Sequence, residues 1–242
     1  MDGIGPAQCW VVKRIRVLRR NGLTLVEVVV LLAIVSILTG LLIPAFTRPR
    51  TNSNRVACVN NLKNVGLAMR IFSSEHEGQL PMSLPASRGG TRELTQDVNR
   101  IWEQFLVFTN AWASPRFLWC PKDVQRKAAT TFVPGPLPGR GVTFSGNQNL
   151  SYFLSLNVSD ELPESILSGD RNLTNEFGGL SPGRHILEDG VKLGFDGEIH
   201  IGAGNILLGD GSVQQLSSSR LREQFHAALT NAGLTTNVWL VP

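Results

Sequence analysis

The 242-residue sequence is low in charge, aromatic residues and cysteine. Charged side chains make up 17% of it and aromatic ones 7%, and it has three cysteines. A hydrophobic fraction of 42% is too high for a disordered chain, whereas a mean hydropathy of +0.02 is far too low for a protein with many membrane spans. The length fits one domain, or one domain with an appendage.

Several motifs that carry catalysis are also missing. The sequence has no G-x-S-x-G nucleophile elbow and no glycine-rich phosphate-binding motif. It also lacks the dense acidic spacing of an EF-hand. We therefore expect a protein that is not an enzyme.

The net charge of +4 and the pI of about 9.3 would by themselves suggest a nucleic-acid partner. The excess, however, lies within residues 1–22, and the remaining 220 residues hold 18 basic and 18 acidic side chains. A basic binding face is therefore excluded, and we expect no nucleic-acid partner. The charged residues of this segment, residues 1–22, are Asp2, Lys13, Arg14, Arg16, Arg19 and Arg20.

Residues 23–43 form an apolar run in which Glu27 is the single charged residue. As a helix these 21 residues would measure roughly 30 Å, which predicts a transmembrane segment with its basic end in the cytoplasm. The run is too long for a secretory signal peptide. An ordinary signal anchor does not explain Glu27, since a carboxylate at the bilayer centre costs about 2.5–3.5 kcal/mol.

The residues around this segment resemble the type IV prepilin and type II secretion pseudopilin family. A basic leader ends at Gly22, which is followed by Leu23, Thr24 and, at the fifth position after the glycine, Glu27. Pro44 stands where that family commonly has a helix-bending proline.

The resemblance implies cleavage between Gly22 and Leu23 by a prepilin peptidase and N-methylation of Leu23. It further implies assembly into a helical filament, with Glu27 meeting the N-terminal amine of a neighbouring subunit. The partners expected from it are the peptidase, other pilin or pseudopilin subunits, the secretion or pilus assembly machinery and the inner membrane. The expected location is a single-pass inner membrane protein with a cytoplasmic N-terminus and a periplasmic C-terminal domain.

The helix is predicted to continue after this segment, with a bend or looser region at Pro49. Residues 47–54 are polar and include Pro49, and an apolar period of three to four residues then continues to an end near Gly78. The expected segments are a leader (1–22), a transmembrane and polymerisation helix (23–46), its amphipathic continuation (47–78) and a β-rich globular domain (79–242). The apolar stripe consists of Val56, Val59, Leu62, Val65, Met69 and Phe72.

The C-terminal half predicts short strands, at residues 117–119, 151–156, 166–168 and 205–208, and a loop over 132–141. Asp210-Gly211 predicts a type I′ hairpin, and residues 218–232 predict a closing helix. The predicted fold class is α+β. One long N-terminal helix, with a membrane-spanning half and an amphipathic half, packs on an antiparallel sheet in a pilin-like arrangement.

Further blocks resemble a large group of bacterial pseudopilin-like proteins. The C-terminal signature of that group is His200, nine residues, then Asp210-Gly211. The other blocks lie at residues 58–68, 119–123, 151–153 and 167–172.

Cysteine usage agrees with this topology. Cys9 would be lost with the leader, which leaves Cys58 and Cys120 on the oxidising side of the membrane. We expect a disulfide between them, with two unpaired buried thiols as the alternative.

One group of side chains suggests a metal site, since two histidines and two aspartates lie within 16 residues. Their spacing is irregular and both aspartates precede glycine, which is typical of turns, so we predict no metal there. Calcium is the one cofactor left open, with oxygens from Asp189, Asp196 and Glu198. The four residues considered are His185, Asp189, Asp196 and His200.

These observations favour a structural filament subunit. Two other functions stay open: a membrane-anchored module that binds an extracytoplasmic ligand, and a tethered metal-dependent hydrolase.

Overall fold

A computed structural model describes residues 24–47, 49–133, 141–159 and 161–242, and for residues 41–53 it describes the backbone alone. The chain divides into two units at the junction of Arg48 and Pro49. The predicted leader, Cys9 and the cleavage and methylation positions Gly22 and Leu23 lie outside the described residues, as does most of the predicted loop at 132–141.

The first unit contains helix α1, Leu25–Thr47. Thr24 and Glu27 form a capping box at its start. The Thr24 backbone N–H donates to Glu27 Oε2 over 2.8 Å, and the Glu27 N–H donates to Thr24 Oγ1 over 3.3 Å. Pro44 lies within α1.

The predicted fold class is wrong in its N-terminal element. One long helix was expected, whereas the structure has two helices, because α1 ends at Thr47 and α2, Pro49–Glu75, begins at Pro49. Proline lacks an N–H, so it suits the first position of a helix, where that donor has no partner within the helix. Across the described residues, no helix has both the length and the apolar character needed to cross a membrane.

Helix α2 belongs to the second unit and buries the predicted apolar stripe, except at the N-terminal end of the stripe. Leu62, Val65, Met69 and Phe72 are buried, whereas Val56 is 57% exposed. Helix α2 packs on one face of a six-stranded sheet, chiefly against strand β7, Ala203–Leu208. Contact is close because Gly66 of α2 faces Leu207.

The six-stranded sheet is antiparallel throughout, with strand order β5-β9-β1-β2-β7-β8. A smaller antiparallel sheet has the order β4-β3-β6. The strands other than β7 are β1 Tyr152–Ser155, β2 Ile166–Asp170, β3 Leu173–Asn175, β4 Gly178–Gly179, β5 Gly183–Glu188, β6 Gly194–Phe195, β8 Val213–Ser217 and β9 Thr236–Val241.

Helix α3, Ser218–Ala232, starts at the N-cap Ser217 and ends at Gly233, which has φ +64°. The sheet lies between two apolar layers, because successive residues of a strand point to opposite faces. Tyr152 and Leu154 join the core that includes α2, and Phe153 joins the core that includes α3. Strands β1 and β2 are therefore buried along their whole length.

Three of the four predicted strand positions are confirmed as β1, β2 and β7, but residues 117–119 are wrong. Pro115 starts a 3₁₀ turn at that point, and single turns of this kind have no apolar period that a sequence pattern could reveal. The 3₁₀ segments are Pro81–Ser83, Ala86–Arg88, Arg92–Gln96, Val98–Phe108, Pro115–Leu118 and Asn147–Asn149.

The predicted hairpin at Asp210-Gly211 is confirmed between β7 and β8, although its turn type is wrong. A type I′ turn needs positive φ at both central residues, whereas Gly211 has φ +82° and Asp210 does not have positive φ. The Gly211 N–H donates to the Leu208 carbonyl, which closes a four-residue turn over residues 208–211. Gly211, the last residue of that turn, is the one with a left-handed backbone.

Candidate functional site

Four segments that are distant in sequence meet at a buried polar cluster beside the large sheet. Cys58 comes from α2, Cys120 follows the 3₁₀ turn at Pro115–Leu118, Asp170 ends β2, and His200 precedes β7. Each of these four residues is at most 4% exposed. We call these residues, together with Asn205 of β7, the Cys-His-Asp cluster.

Cys58 and Cys120 are joined by a disulfide, and their α-carbons lie 5.0 Å apart. The bond closes a loop across a sequence separation of 62 and ties α2 to the segment that carries Asp123. In the chain-entropy model, a loop of this length stabilises the folded state by about 4 kcal/mol.

The Asp170 carboxylate is held in place mainly by Asn205. The backbone N–H and the side-chain Nδ2 of Asn205 both donate to Asp170 Oδ2, over 2.7 and 2.8 Å. His200 Nε2 lies 3.3 Å from the same oxygen and 3.1 Å from Asn205 Nδ2. Asp170 Oδ1 is buried and has no hydrogen-bond partner among the described residues.

His200 also contacts the disulfide and the first turns of α2. Its Nε2 lies 3.6 Å from Cys120 Sγ, and its backbone carbonyl accepts a hydrogen bond from Arg55 Nη2 over 3.0 Å. The next residue, Ile201, has φ +54° and is 90% exposed. Positive φ is strained for a β-branched residue, and the cost must be offset by the contacts that hold His200 inside.

Burial shifts both titratable groups of the cluster toward their neutral forms. It raises the pKa of Asp170 to about 7, against the opposing hydrogen bonds from Asn205. It lowers the pKa of His200 to about 4, and the nearby positive charges of Arg55 and Lys122 lower that pKa further. Between about pH 4 and pH 7 the close contact between Asp170 and His200 is therefore one between two neutral groups rather than an ion pair.

A buried ion pair supports the cluster from the adjoining loop. Arg171 Nε and Nη2 donate to the two carboxylate oxygens of Asp123, each over 2.7 Å, and both side chains are at least nine-tenths buried. Arg171 also reaches Gln125 over 3.1 Å and Glu198 over 3.5 Å. This two-pronged geometry fixes the segment after Cys120 against the end of β2.

The four residues considered for a metal site do not form one in the structure. His185 Nε2 bonds to the Ser181 carbonyl over 2.7 Å. Asp189 instead pairs with His226 over 2.9 Å, and Asp196 accepts from the Glu198 backbone N–H. Only His200 of the four takes part in the grouping that the described residues offer to a metal ion, which is Cys58, Cys120 and His200.

The oxygens considered for calcium are likewise engaged in turns and in pairs with other side chains. The Asp189 carboxylate accepts from the Gly190 N–H as well as from His226, and this pairing lowers the pKa of Asp189. Glu198 accepts from Gln125 Nε2 over 2.8 Å.

The C-terminal signature divides between two places. His200 belongs to the cluster, whereas Asp210 and Gly211 form the hairpin turn. Asp210 Oδ1 accepts from the Ser212 N–H over 2.8 Å, and the Asp210 carbonyl accepts from Arg70 Nη1 of α2 over 2.7 Å. Both parts of the signature thus anchor α2 to the sheet, through Arg55 and Arg70.

Sequence reasoning assigned no role to four residues of the site, Asp123, Asp170, Arg171 and Asn205. Asp123, Asp170 and Arg171 lie inside the sequence blocks 119–123 and 167–172, which resemble pseudopilin-like proteins. That resemblance was the one signal in the sequence that could have pointed to these three residues. Their mutual pairing depends on tertiary contacts across more than 30 positions of sequence.

Comparison of the chain with protein-family models, with curated proteins and with solved structures gave no match. The assignment of a function therefore depends on the residues and their geometry.

Proposed function

We propose that the protein is a pilin-like or pseudopilin-like structural subunit of a type II secretion or type IV pilus filament. The observation that carries the proposal is the surface of α1. From Leu25 to Leu38 its large apolar side chains are exposed on every side of the helix, and Leu25, Leu32 and Ile37 are each more than 60% exposed. A helix that is apolar all round is stable when it is buried, and copies of the same helix in a filament core would bury it.

Glu27 suits such an assembly for two separate reasons. Its carboxylate caps the first turn of its own helix through Thr24. A negative charge in an apolar core also favours an opposite charge from a neighbour, and an N-terminal amine exposed by cleavage at Leu23 would supply that charge. The proposal gives the carboxylate a role in subunit register rather than in catalysis.

The disulfide supports the proposed location. Disulfides persist in oxidising compartments, so the Cys58–Cys120 bond is expected where the second unit lies outside the cytoplasm. The proposal therefore locates the protein at the cytoplasmic membrane, with Pro49–Pro242 on the extracytoplasmic side. Its proposed partners are a prepilin peptidase, other subunits of the filament and the assembly machinery.

The test compares the mature protein from cells with and without the prepilin peptidase. We expect a product that begins at N-methylated Leu23 in the first strain and an uncut chain in the second, by N-terminal sequencing and intact mass. The processed protein should then sediment with sheared filaments. An uncut chain in both strains would exclude the proposal.

A further inference from the structure

The Cys-His-Asp cluster has the donor set of a transition-metal site once its disulfide is reduced. The two cysteine sulfurs and His200 Nε2 all lie within 4.8 Å of one another. Thiolate and imidazole together are the ligands that select zinc and related divalent cations in proteins.

The contact between the imidazole and Cys120 has the spacing of two ligands of one metal ion. With zinc bonds of about 2.3 Å to sulfur and 2.0–2.1 Å to nitrogen, neighbouring ligand atoms in a tetrahedral site lie about 3.3–3.8 Å apart. Cys120 Sγ and His200 Nε2 are 3.6 Å apart. Asp170 lies outside the group of ligand atoms and contacts the imidazole, over 3.3 Å. The two sulfurs, now bonded, are the pair that must separate.

Three further observations indicate that the cluster is built to hold these groups together. Asp170 keeps a buried carboxylate oxygen without a partner among the described residues, which is costly in an apolar interior. Ile201 keeps a strained backbone directly after His200, and this cost is accepted next to the buried imidazole. Asn205 donates to Asp170 and lies 3.1 Å from His200 Nε2, so Asp170 and Asn205 form a polar shell around the histidine, as is common for metal ligands.

We propose that the reduced chain binds one zinc-class divalent cation through Cys58 Sγ, Cys120 Sγ and His200 Nε2, with a water molecule in the fourth position. The metal-bound state and the disulfide state exclude each other, because the same two sulfurs serve both. A reductant must supply two electrons to the S–S bond, and two protons then complete the thiols. Metal binding releases both thiol protons to solvent as the thiolates form.

The experiment uses the full chain in detergent, with Cys9→Ser so that the cluster holds the only two thiols. An excess of a phosphine reduces the disulfide under argon. The phosphine takes an oxygen atom from water to become its oxide, and the remaining two hydrogens go to the sulfurs. Cobalt(II) is then titrated in as the spectroscopic probe, followed by zinc.

We expect one equivalent of cobalt to give the thiolate charge-transfer band and the intense visible bands of four-coordinate cobalt, and one equivalent of zinc to abolish them. The oxidised chain should give neither. His200→Ala should weaken binding by at least about 10-fold, and Asp170→Asn by about 10–100-fold. His200→Cys should retain binding with a stronger charge-transfer band, since it supplies a third thiolate.

His185→Ala is the matched control. Its affinity should equal that of the parent chain, because His185 Nε2 bonds to the Ser181 carbonyl just before β5 and does not belong to the group of ligand atoms found among the described residues. Near-ultraviolet circular dichroism follows the fold at each step. Binding that His200→Ala leaves unchanged would overturn the proposal, since it would show non-specific capture by two thiols. A reduced chain that binds no cobalt, whether it stays folded or unfolds, would overturn it as well.

Discussion

His200 Nε2 lies 3.6 Å from Cys120 Sγ, although 80 positions of sequence separate the two residues. The contact joins the C-terminal signature to the disulfide that anchors α2. His200, Cys58 and Cys120 therefore meet at one place, where α2 is attached to the sheet.

The buried pair of Asp123 and Arg171 should be strongly coupled. Asp123→Asn leaves the buried guanidinium of Arg171 without its counter-charge, and Arg171→Met leaves the buried carboxylate of Asp123 without one. Each single variant should lower the free energy of unfolding by about 3–5 kcal/mol. The double variant should lose much less than the sum of the two, by urea denaturation in a double-mutant cycle. The exposed pair Arg220–Glu223 is the control and should contribute less than about 1 kcal/mol. Additive losses at Asp123 and Arg171 would contradict the buried pairing.

Gly169 should not tolerate a side chain. A Cβ at this position would lie 2.8 Å from the Asn205 carbonyl and 2.7 Å from the Phe153 ring. Gly169→Ala should therefore cost about 1–3 kcal/mol of stability through overpacking, measured as the shift in the denaturation midpoint at constant m-value. Gly197→Ala, which would meet no atom within 4 Å, serves as the comparison, and equal effects of the two would refute the close approach.

Ile201→Gly should stabilise the protein, in contrast to most replacements of a large apolar residue. Its φ of +54° is strained for isoleucine and free for glycine, while its exposed side chain loses little packing. Glycine also makes the unfolded chain more flexible, which offsets part of the relieved strain. The free energy of unfolding should therefore rise by about 0.5–1 kcal/mol, measured by thermal unfolding. Ile199→Gly, at a buried position, should destabilise instead. A loss of stability in Ile201→Gly would show that the left-handed backbone carries no strain there.

Variants of Glu27 can separate its capping role from its charge. Glu27→Gln keeps an oxygen to accept from the Thr24 N–H but removes the negative charge, whereas Glu27→Ala removes both. Loss of the cap alone should cost about 1 kcal/mol of helix stability. If the proposed contact with a neighbouring amine sets register, both variants should be depleted from sedimented filaments while Glu27→Gln keeps its helix content by circular dichroism. Normal incorporation of Glu27→Gln would show that the charge has no role in assembly.

The disulfide should stabilise the fold through the loop that it closes. Cys58→Ser with Cys120→Ser should lower the free energy of unfolding by about 4 kcal/mol, and reduction of the parent chain should have a similar effect when metal ions are absent. Non-reducing and reducing mass spectra of the parent chain give the oxidation state directly. Cys9→Ser should leave the unfolding curve unchanged.

Local patterns in the sequence determined much of the secondary structure. The apolar run that became α1, the buried face of α2, three strands, the hairpin at Asp210-Gly211 and the bounds of α3 all follow from short-range periodicity and turn chemistry. Such features depend on residues within a few positions of each other, so the sequence alone carries the signal. Pro49 and the polar residues 47–54 indicated an interruption, but the family resemblance implied one long helix, whereas the structure has two.

Tertiary structure alone decided the site. The charge excess, the apolar segment and the Cys58–Cys120 disulfide were predicted from the sequence, but nothing in the spacing indicated that Asp170 and His200 lie beside that disulfide. Strand order and the packing of α2 on the sheet bring them together, and these are properties of the whole core rather than of any segment. Burial then decides their chemistry, since desolvation raises the pKa of Asp170 and lowers that of His200; near pH 5 both are neutral, whereas the same residues in water would each carry a charge.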